Sequence, residues 1–320
     1  MSPRLWTALR LGIGLAVILF LLAGFDPAAI ADRLGRADYR LVAIGVVGLT
    51  AVHGVAALTW RSICARLAGV RLPWSTTLRA YYAAQALGGV TPANLGGDAY
   101  RVVALRSAGH GWQASVASVV LQRATSYLAL AALALGATAV LAASTPLAPG
   151  LVAGGVAVSL AVGLAAAALL APPRIMRGHW DRLAGLLGAP RFADEAAPQR
   201  ARVQAAGIGL VLGLVFHAAS VLLTWLLVVA VEPSAATLGV TAAVVVARLS
   251  LAVPISPSGL GIQEGVLSLL LASLGFAPQV ALAGLLLSRL SLVTTTIIGA
   301  AALVAGHRPL PGPIPGQSRA

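Results

Sequence analysis

The sequence is poor in charged side chains, in acids above all, and in cysteine. Only 10% of its 320 residues are charged, against roughly 25% in soluble domains. Its 9 acidic residues face 22 basic ones, and all the basic residues are arginine because the chain contains no lysine. The single cysteine, Cys64, excludes an internal disulfide and a cysteine-based metal site. With 59% hydrophobic residues and a mean hydropathy of +0.91, the chain is a membrane protein and not a soluble domain.

Motifs for energy coupling and for metal catalysis are also missing. The sequence has no P-loop, and its 5 histidines do not have metal-ligand spacing. We therefore expect neither direct ATP hydrolysis nor a bound metal or other cofactor. The arginines gather in loops between apolar segments, which indicates topology signals that meet anionic lipid, and not a nucleic-acid surface.

Long apolar runs are abundant. Crossing about 30 Å of hydrocarbon takes roughly 20 helical residues, and six segments reach that length: residues 5–25, 40–60, 112–142, 147–170, 205–231 and 278–305. Within the first, the apolar run 11–25 follows Arg4 and Arg10 as the core of a signal peptide would, but no convincing cleavage site ends it. We expect a retained transmembrane helix there, followed by an interfacial segment over residues 27–37.

The distribution of arginine predicts the topology. Residues 61–79 hold four arginines and no acid, and the loop 171–204 holds six arginines and three acids, whereas the alternate loops are balanced or bare. The positive-inside rule places these two loops and both termini in the cytoplasm. Four tryptophans fall at the predicted interfaces, where aromatic side chains anchor helices: Trp6, Trp60, Trp74 and Trp112.

Two apolar segments, residues 78–109 and 237–275, are interrupted by glycine and proline. The run after each interruption is about 20 Å long, too short to cross, so we predict two re-entrant helical hairpins whose breaks line a cavity. Three crossings separate the hairpins, so the repeat formed by residues 78–142 and 237–305 is predicted to be inverted, as in many transporters. The predicted hinges are Pro92, Gly96, Gly97, Pro254, Pro257, Gly259 and Gly261.

The two interrupted segments match in the spacing of their charges. In each, a carboxylate is followed 11 residues later by glycine and 25 residues later by arginine: Asp98, Gly109 and Arg123, then Glu264, Gly275 and Arg289. A charge at mid-depth costs about 2.5–3.5 kcal/mol on insertion scales, so each needs a partner. Two interpretations stay open: structural salt bridges, or a lipid-headgroup site in which arginines grip phosphate.

Further polar residues join the candidate site. Arg101 lies one helical turn after Asp98, where it could hold that acid, contact phosphate or reach the interface. Arg248 lies deep in the second hairpin, which favours a role in the site. His53 and His217 are mid-span and are predicted as packing residues, with a proton relay as the alternative. The candidate substrate-binding residues are Asp98, Arg101, Arg123, Arg248, Glu264 and Arg289.

Two motifs resemble those of a known family. Pro92-x-x-x-Gly96-Gly97-Asp98-x-x-Arg101 with Gln122-Arg123, and Pro254-Ile255-Ser256-Pro257-x-Gly259-x-Gly261-x-x-Glu264, are similar to the flippase-like membrane family, also called the lysylphosphatidylglycerol synthase transmembrane-region family. The resemblance covers essentially the whole chain and implies a polytopic lipid-handling protein. Gln263 departs from the arginine that this family often has. The ending at Ala320 leaves no room for the soluble aminoacyl-transferase domain, so synthase activity is not expected.

These observations predict an all-α polytopic protein of the bacterial inner membrane, with residues 1–320 as one membrane domain. We expect it to move a phosphate-bearing lipid between leaflets, whether an aminoacyl-phospholipid, a polyprenyl phosphate or a glycolipid. Two alternatives are an integral-membrane transferase acting on a lipid-linked substrate and a non-catalytic partner of a lipid-modifying enzyme. Membrane lipids are the expected partners, and the sequence leaves open whether the chain forms a homo-oligomer.

Overall fold

The computed structural model describes residues 27–67, 69–89, 91, 94–144, 149–170, 198–252 and 261–305. Helices and turns make up this part of the chain, which contains no β-strand, in agreement with the predicted all-α class. The helices in chain order are α1 (Pro27–Gly35), α2 (Tyr39–Ala51), α3 (His53–Leu67), α4 (Trp74–Gly89), α5 (Leu95–Ser107), α6 (Trp112–Ser144), α7 (Pro149–Leu170), α8 (Gln199–Val231), α9 (Leu238–Arg248), α10 (Ile262–Ser273) and α11 (Pro278–Val304).

Five helical segments are long and apolar enough to cross a membrane: α2 with α3, α6, α7, α8 and α11. They coincide with five of the six predicted spans, and the remaining one, residues 5–25, lies outside the described residues. Two helices extend beyond the predicted apolar limits, because α3 continues to Leu67 and α8 begins at Gln199. The apolar residues indicate only the length of helix that lies in the membrane. The backbone hydrogen bonds of α3 and α8 continue beyond it, into the flanking segments that contain arginine.

Side chains cap helices where the chain leaves a loop. Asp38 precedes α2 and accepts hydrogen bonds from the backbone N–H groups of Arg40 and Leu41, at 2.9 and 3.3 Å. Thr237 precedes α9 and accepts from the N–H of Val240 at 3.2 Å. These caps satisfy donors that have no partner within a first helical turn.

The two short helices α5 and α10 end in the same way. Gly109 and Gly275, the two glycines matched in the sequence, have φ of 85° and 86°, a left-handed conformation that glycine adopts readily. The N–H of the following residue reaches back to the fifth residue before it in both cases, from His110 to Leu105 at 3.2 Å and from Phe276 to Leu271 at 2.9 Å. Both ends are therefore Schellman motifs in equivalent positions.

Each interrupted segment forms a pair of short helices. α4 packs against α5, and α9 packs against α10. α5 has 13 residues and α10 has 12, so they are about 20 and 18 Å long, well below the roughly 30 Å needed to cross. The residues between the two members of each pair are described only at Thr91 and Asn94 in the first pair and at 249–252, a 3₁₀ turn, and Gly261 in the second.

The two halves of the chain pack on each other reciprocally. α4, in the first pair, lies against α11 of the second half, and α9, in the second pair, lies against α6 of the first half. The contact between α4 and α11 is close because a Cβ at Gly299 would lie only 2.1 Å from the carbonyl oxygen of Tyr82. α8 is central and contacts α2, α3, α6, α9 and α11. Each interrupted segment is therefore held against a long helix of the opposite half.

A polar latch joins α1 to the end of α8. Arg33 donates to the Glu232 carboxylate at 2.7 Å, and the Ser234 hydroxyl donates to its other oxygen at 2.6 Å. These hydrogen bonds, first from Ser234 and then from Arg33, hold the pKa of Glu232 below its ordinary value. The latch lies beyond the membrane-spanning length of α8, and it ties the α1 segment to the bundle.

Candidate functional site

The first half-site, formed by Asp98, Arg101 and Arg123, joins α5 to α6. Asp98 lies in the first turn of α5 and is only 8% exposed. Arg101 donates to its Oδ1 at 2.5 Å, and Arg123 donates through Nε to its Oδ2. The pair expected from the 25-residue spacing is therefore present, and Asp98 is shared between two guanidinium groups. Arg123 also donates to the Tyr127 hydroxyl at 2.8 Å.

Arg101 is surrounded by side chains from three other helices. It donates to the Oε1 atom of Gln122, and its guanidinium lies 5.6 Å from the ring centre of Trp60 and 5.3 Å from that of Tyr81. Gln122 in turn donates to the carbonyl oxygen of Ala56 at 2.7 Å. These contacts fix Arg101 as the group that holds Asp98, one of the three roles open from the sequence.

The position of Trp60 differs from the sequence prediction. We expected it to anchor a helix at the interface, but it is fully buried, and its indole N–H donates to the Ser118 hydroxyl at 3.3 Å. Trp60 lies on the face of α3 that packs against α6, so protein and not lipid covers its ring. Its ring then serves as one face of the Arg101 enclosure through a cation–π contact.

The second half-site, formed by Glu264, Arg289 and Arg248, joins α10 to α11 and α9. Glu264 is 6% exposed, and its Oε1 accepts from Arg289 Nε at 3.0 Å and Nη2 at 2.5 Å. Its Oε2 accepts from the backbone N–H of Gly261 at 2.8 Å, which caps α10. The Glu264 carboxylate thus caps the start of α10 and also binds Arg289. The matched spacing of 25 residues predicted this second contact.

Arg248 is a half-buried cation that forms no ion pair with a carboxylate among the described residues. It ends α9, and its Nε atom is buried with no hydrogen-bond partner. The positive charge of Arg289 acts on it and repels it. The five acids in the described part of the chain are all engaged elsewhere: Asp32 with Arg36, Asp38 at the cap of α2, Glu232 with Arg33, and Asp98 and Glu264 as above.

The two half-sites therefore carry an excess of positive charge. Each contains two arginines and one carboxylate, so each bears one net positive charge. In the first half-site the extra cation, Arg101, faces aromatic rings and an amide. In the second, the extra cation, Arg248, has no such compensation among the described residues. Uncompensated charge in a low-dielectric interior is costly, and an anionic ligand offsets that cost.

A further buried polar group, His217 of α8, contacts α6. It is 5% exposed, its Nε2 is 3.0 Å from the Ser126 hydroxyl of α6, and the charge of Arg248 acts on its ring. Ser126 follows Arg123 by three residues, hence on the same face of α6. The sequence prediction of a hydrogen-bonded packing residue did not foresee this position, for which the only signal was the mid-span location of a polar ring.

The predicted hinges are only partly described. Gly96 and Gly97 lie in the first turn of α5, and Gly261 precedes α10 with φ of 83°. A Cβ on Gly97 would lie 2.3 Å from the carbonyl oxygen of Ala84, so glycine lets α4 and α5 approach closely. Four predicted hinges lie outside the described residues: Pro92, Pro254, Pro257 and Gly259. Within the described residues no cluster of three or more metal-ligating side chains occurs.

Comparison with known proteins identifies the family of this chain. The family model described as the lysylphosphatidylglycerol synthase TM region matches residues 7–299. The chain belongs to that family. The resemblance found in its two motifs is thereby confirmed, and with five apolar spans the protein is a multi-pass membrane protein whose family is tied to lipid modification or transport. A comparison with curated proteins found no match.

Proposed function

We propose that this member of the lysylphosphatidylglycerol synthase TM-region family moves a phosphate-bearing lipid between the two leaflets of the bacterial inner membrane. The observation that carries the proposal is the excess of arginine over carboxylate in two buried half-sites. Intramembrane ionisable residues are expensive, and they mark ligand pathways more often than not. The phosphate of a lipid headgroup supplies negative charge that offsets part of this excess.

The arginines suit phosphate better than lysines would. A guanidinium presents paired N–H donors to two oxygens, is weakly hydrated and stays charged when buried. In this mechanism Arg123, Arg248 and Arg289 contact the headgroup, Asp98 and Glu264 hold and balance the arginines, and Arg101 keeps Asp98 in place. The first turns of α5 and α10 add the positive ends of two helix dipoles.

The fold supports movement of lipid past this site. Two short helical pairs, each ended by a Schellman glycine and each packed on the other half, fit re-entrant hairpins in an inverted repeat. Interrupted helices in matching places of two such halves are typical of transporter binding sites. We propose that both termini are cytoplasmic, that the hairpins approach the site from opposite faces, and that their glycine and proline breaks act as gates.

Lipid movement in proteoliposomes tests the proposal. Purified full-length protein is reconstituted with headgroup-labelled phosphatidylglycerol, and the rate at which label becomes accessible to a membrane-impermeant quencher is measured. Loss of a hydrogen bond to a charged group costs about 1.5–3 kcal/mol, so Arg123→Gln and Arg289→Gln should each slow movement at least about tenfold. Arg36→Gln, at a side chain that is 80% exposed, is the matched control.

The alternatives give different results in the same system. A transferase would convert the lipid into a new product when donors are added, and a partner protein would show neither movement nor product alone. Movement that is unchanged in both site variants, or equal to protein-free liposomes for the wild type, would contradict the proposed transport.

A further inference from the structure

Two buried nitrogen atoms without partners occur on helices α8 and α9, which pack against each other. Across the described residues, only four buried side-chain polar atoms lack a hydrogen bond: His217 Nδ1, Arg248 Nε, Trp225 Nε1 and Thr295 Oγ1. An unpaired buried polar atom is energetically unfavourable, so each calls for an explanation. The first two lie on α8 and α9, which pack on each other and on α6, and the positive charge of Arg248 acts on the ring of His217.

The ring of His217 is held so that only one nitrogen remains available. Its Nε2 lies 3.0 Å from the Ser126 hydroxyl. The Phe216 ring packs edge-on against it, with 5.0 Å between ring centres. When the Ser126 hydroxyl donates to Nε2, the ring proton sits on Nδ1, which becomes an N–H donor with no acceptor in the protein. The Nε–H group of Arg248 is a second buried donor that has no acceptor in the protein.

Two donors, one of them cationic, call for an oxygen acceptor that carries negative charge. We propose that His217 and Arg248 form one phosphate-oxygen subsite, with His217 Nδ1–H as a direct ligand contact fixed in place by Ser126. This inference rests on the proposed function and extends it, because it adds a contact residue that packing alone does not require. It also places the phosphate on the side of the second half-site, since Arg101 of the first is already enclosed.

The two amide replacements of His217 separate the two ring nitrogens. The Asn side-chain amide matches the position of Nδ1, and the Gln amide matches that of Nε2. His217→Asn therefore keeps the ligand contact and loses the Ser126 contact, whereas His217→Gln keeps the Ser126 contact and loses the ligand contact. A purely structural role, which rests on the Ser126 hydrogen bond, predicts the opposite order.

Binding is measured on the full chain in phosphate-free detergent solution, and thermal unfolding confirms that each variant is folded. The probes are dihexanoyl-phosphatidylglycerol, inorganic phosphate, and dihexanoylglycerol as the phosphate-free control. We expect His217→Gln and Arg248→Gln to weaken lipid binding at least about tenfold, and His217→Asn to stay within about threefold of the wild type. Thr295→Val, which alters another unpartnered buried atom, should leave binding unchanged.

Each outcome decides the matter. The same variant pattern with inorganic phosphate identifies the subsite as one for the phosphate itself, and a pattern seen with the lipid alone identifies a lipid headgroup site; both support the inference. Equal binding by all variants, equal loss in both His217 variants, or a loss in Thr295→Val overturns it. If lipid movement in proteoliposomes still depends on Arg123 and Arg289, the proposed function stands without this subsite.

Discussion

Neutralising both members of the Glu264–Arg289 pair separates a structural salt bridge from a lipid site. Removing one partner of a buried pair leaves an uncompensated charge and costs about 3–5 kcal/mol. The Arg289 side chain is 19% exposed and that of Glu264 is 8% exposed, so we expect the lower end, about 3 kcal/mol, for Glu264→Gln or Arg289→Gln alone. Replacing both partners by uncharged groups is often near neutral.

The double variant should therefore regain most of the lost stability. The amide oxygen of Gln at position 264 can still accept from the Gly261 N–H, so the cap of α10 is kept. If the pair is only structural, transport returns together with stability. If Arg289 holds the headgroup, as proposed, the folded double variant still moves lipid at least about tenfold more slowly than the wild type.

Two properties are measured for the wild type, the two single variants and the double variant. These are unfolding in detergent and the movement of labelled lipid. The Arg33–Glu232 latch provides the control cycle, because its side chains are 28% and 26% exposed. Such partly exposed pairs contribute up to about 1 kcal/mol, and its double neutralisation should leave lipid movement unchanged. Recovery of both stability and movement in the Glu264/Arg289 double variant would refute the headgroup role.

Three further predictions concern topology, pH and packing. Ser107→Cys and Ser273→Cys, 166 residues apart and both exposed, should react with an impermeant thiol reagent from opposite sides of oriented vesicles in a Cys64→Ala background; same-side reaction would contradict the inverted repeat. The Glu232 pKa is lowered in the folded state, so its stabilisation is present above about pH 4.5 and lost as the pH falls through the folded pKa; Glu232→Gln should flatten this part of the pH–stability curve. Gly299→Ala should destabilise the fold by about 1–3 kcal/mol in unfolding assays, because its Cβ would lie 2.1 Å from a carbonyl oxygen of α4; an unchanged stability would show that α4 and α11 separate easily.

Local patterns account for the parts of the fold that the sequence predicted well. Apolar length identified the five described spans, since the bilayer thickness alone sets that length. The equal spacing of acid and arginine indicated that Asp98 belongs with Arg123 and Glu264 with Arg289, and both pairs are in contact. The matched glycines, Gly109 and Gly275, prove to end α5 and α10 in a left-handed conformation, which the sequence analysis did not predict.

Contacts between distant segments were beyond the reach of sequence patterns. The enclosure of Arg101 needs Trp60, Tyr81 and Gln122 from three other helices, and no spacing rule connects them. The same holds for His217 beside Arg248. The extension of α3 and α8 beyond their apolar lengths was also missed. The arginines that flank those lengths were assigned to loops, whereas helical hydrogen bonding continues through some of them. Tertiary packing, which decides these features, is not encoded in any single window of sequence.

The central claim is that the arginines of the two half-sites bind a phosphate-bearing lipid. Native mass spectrometry of the protein released from bacterial membranes tests it most directly. The wild type and Arg36→Gln should retain a phosphate-bearing lipid after mild detergent removal, and the combined Arg123→Gln and Arg248→Gln variant should lose it while staying folded. Retention of the same lipid by that variant, or its absence from the wild type, would contradict the account.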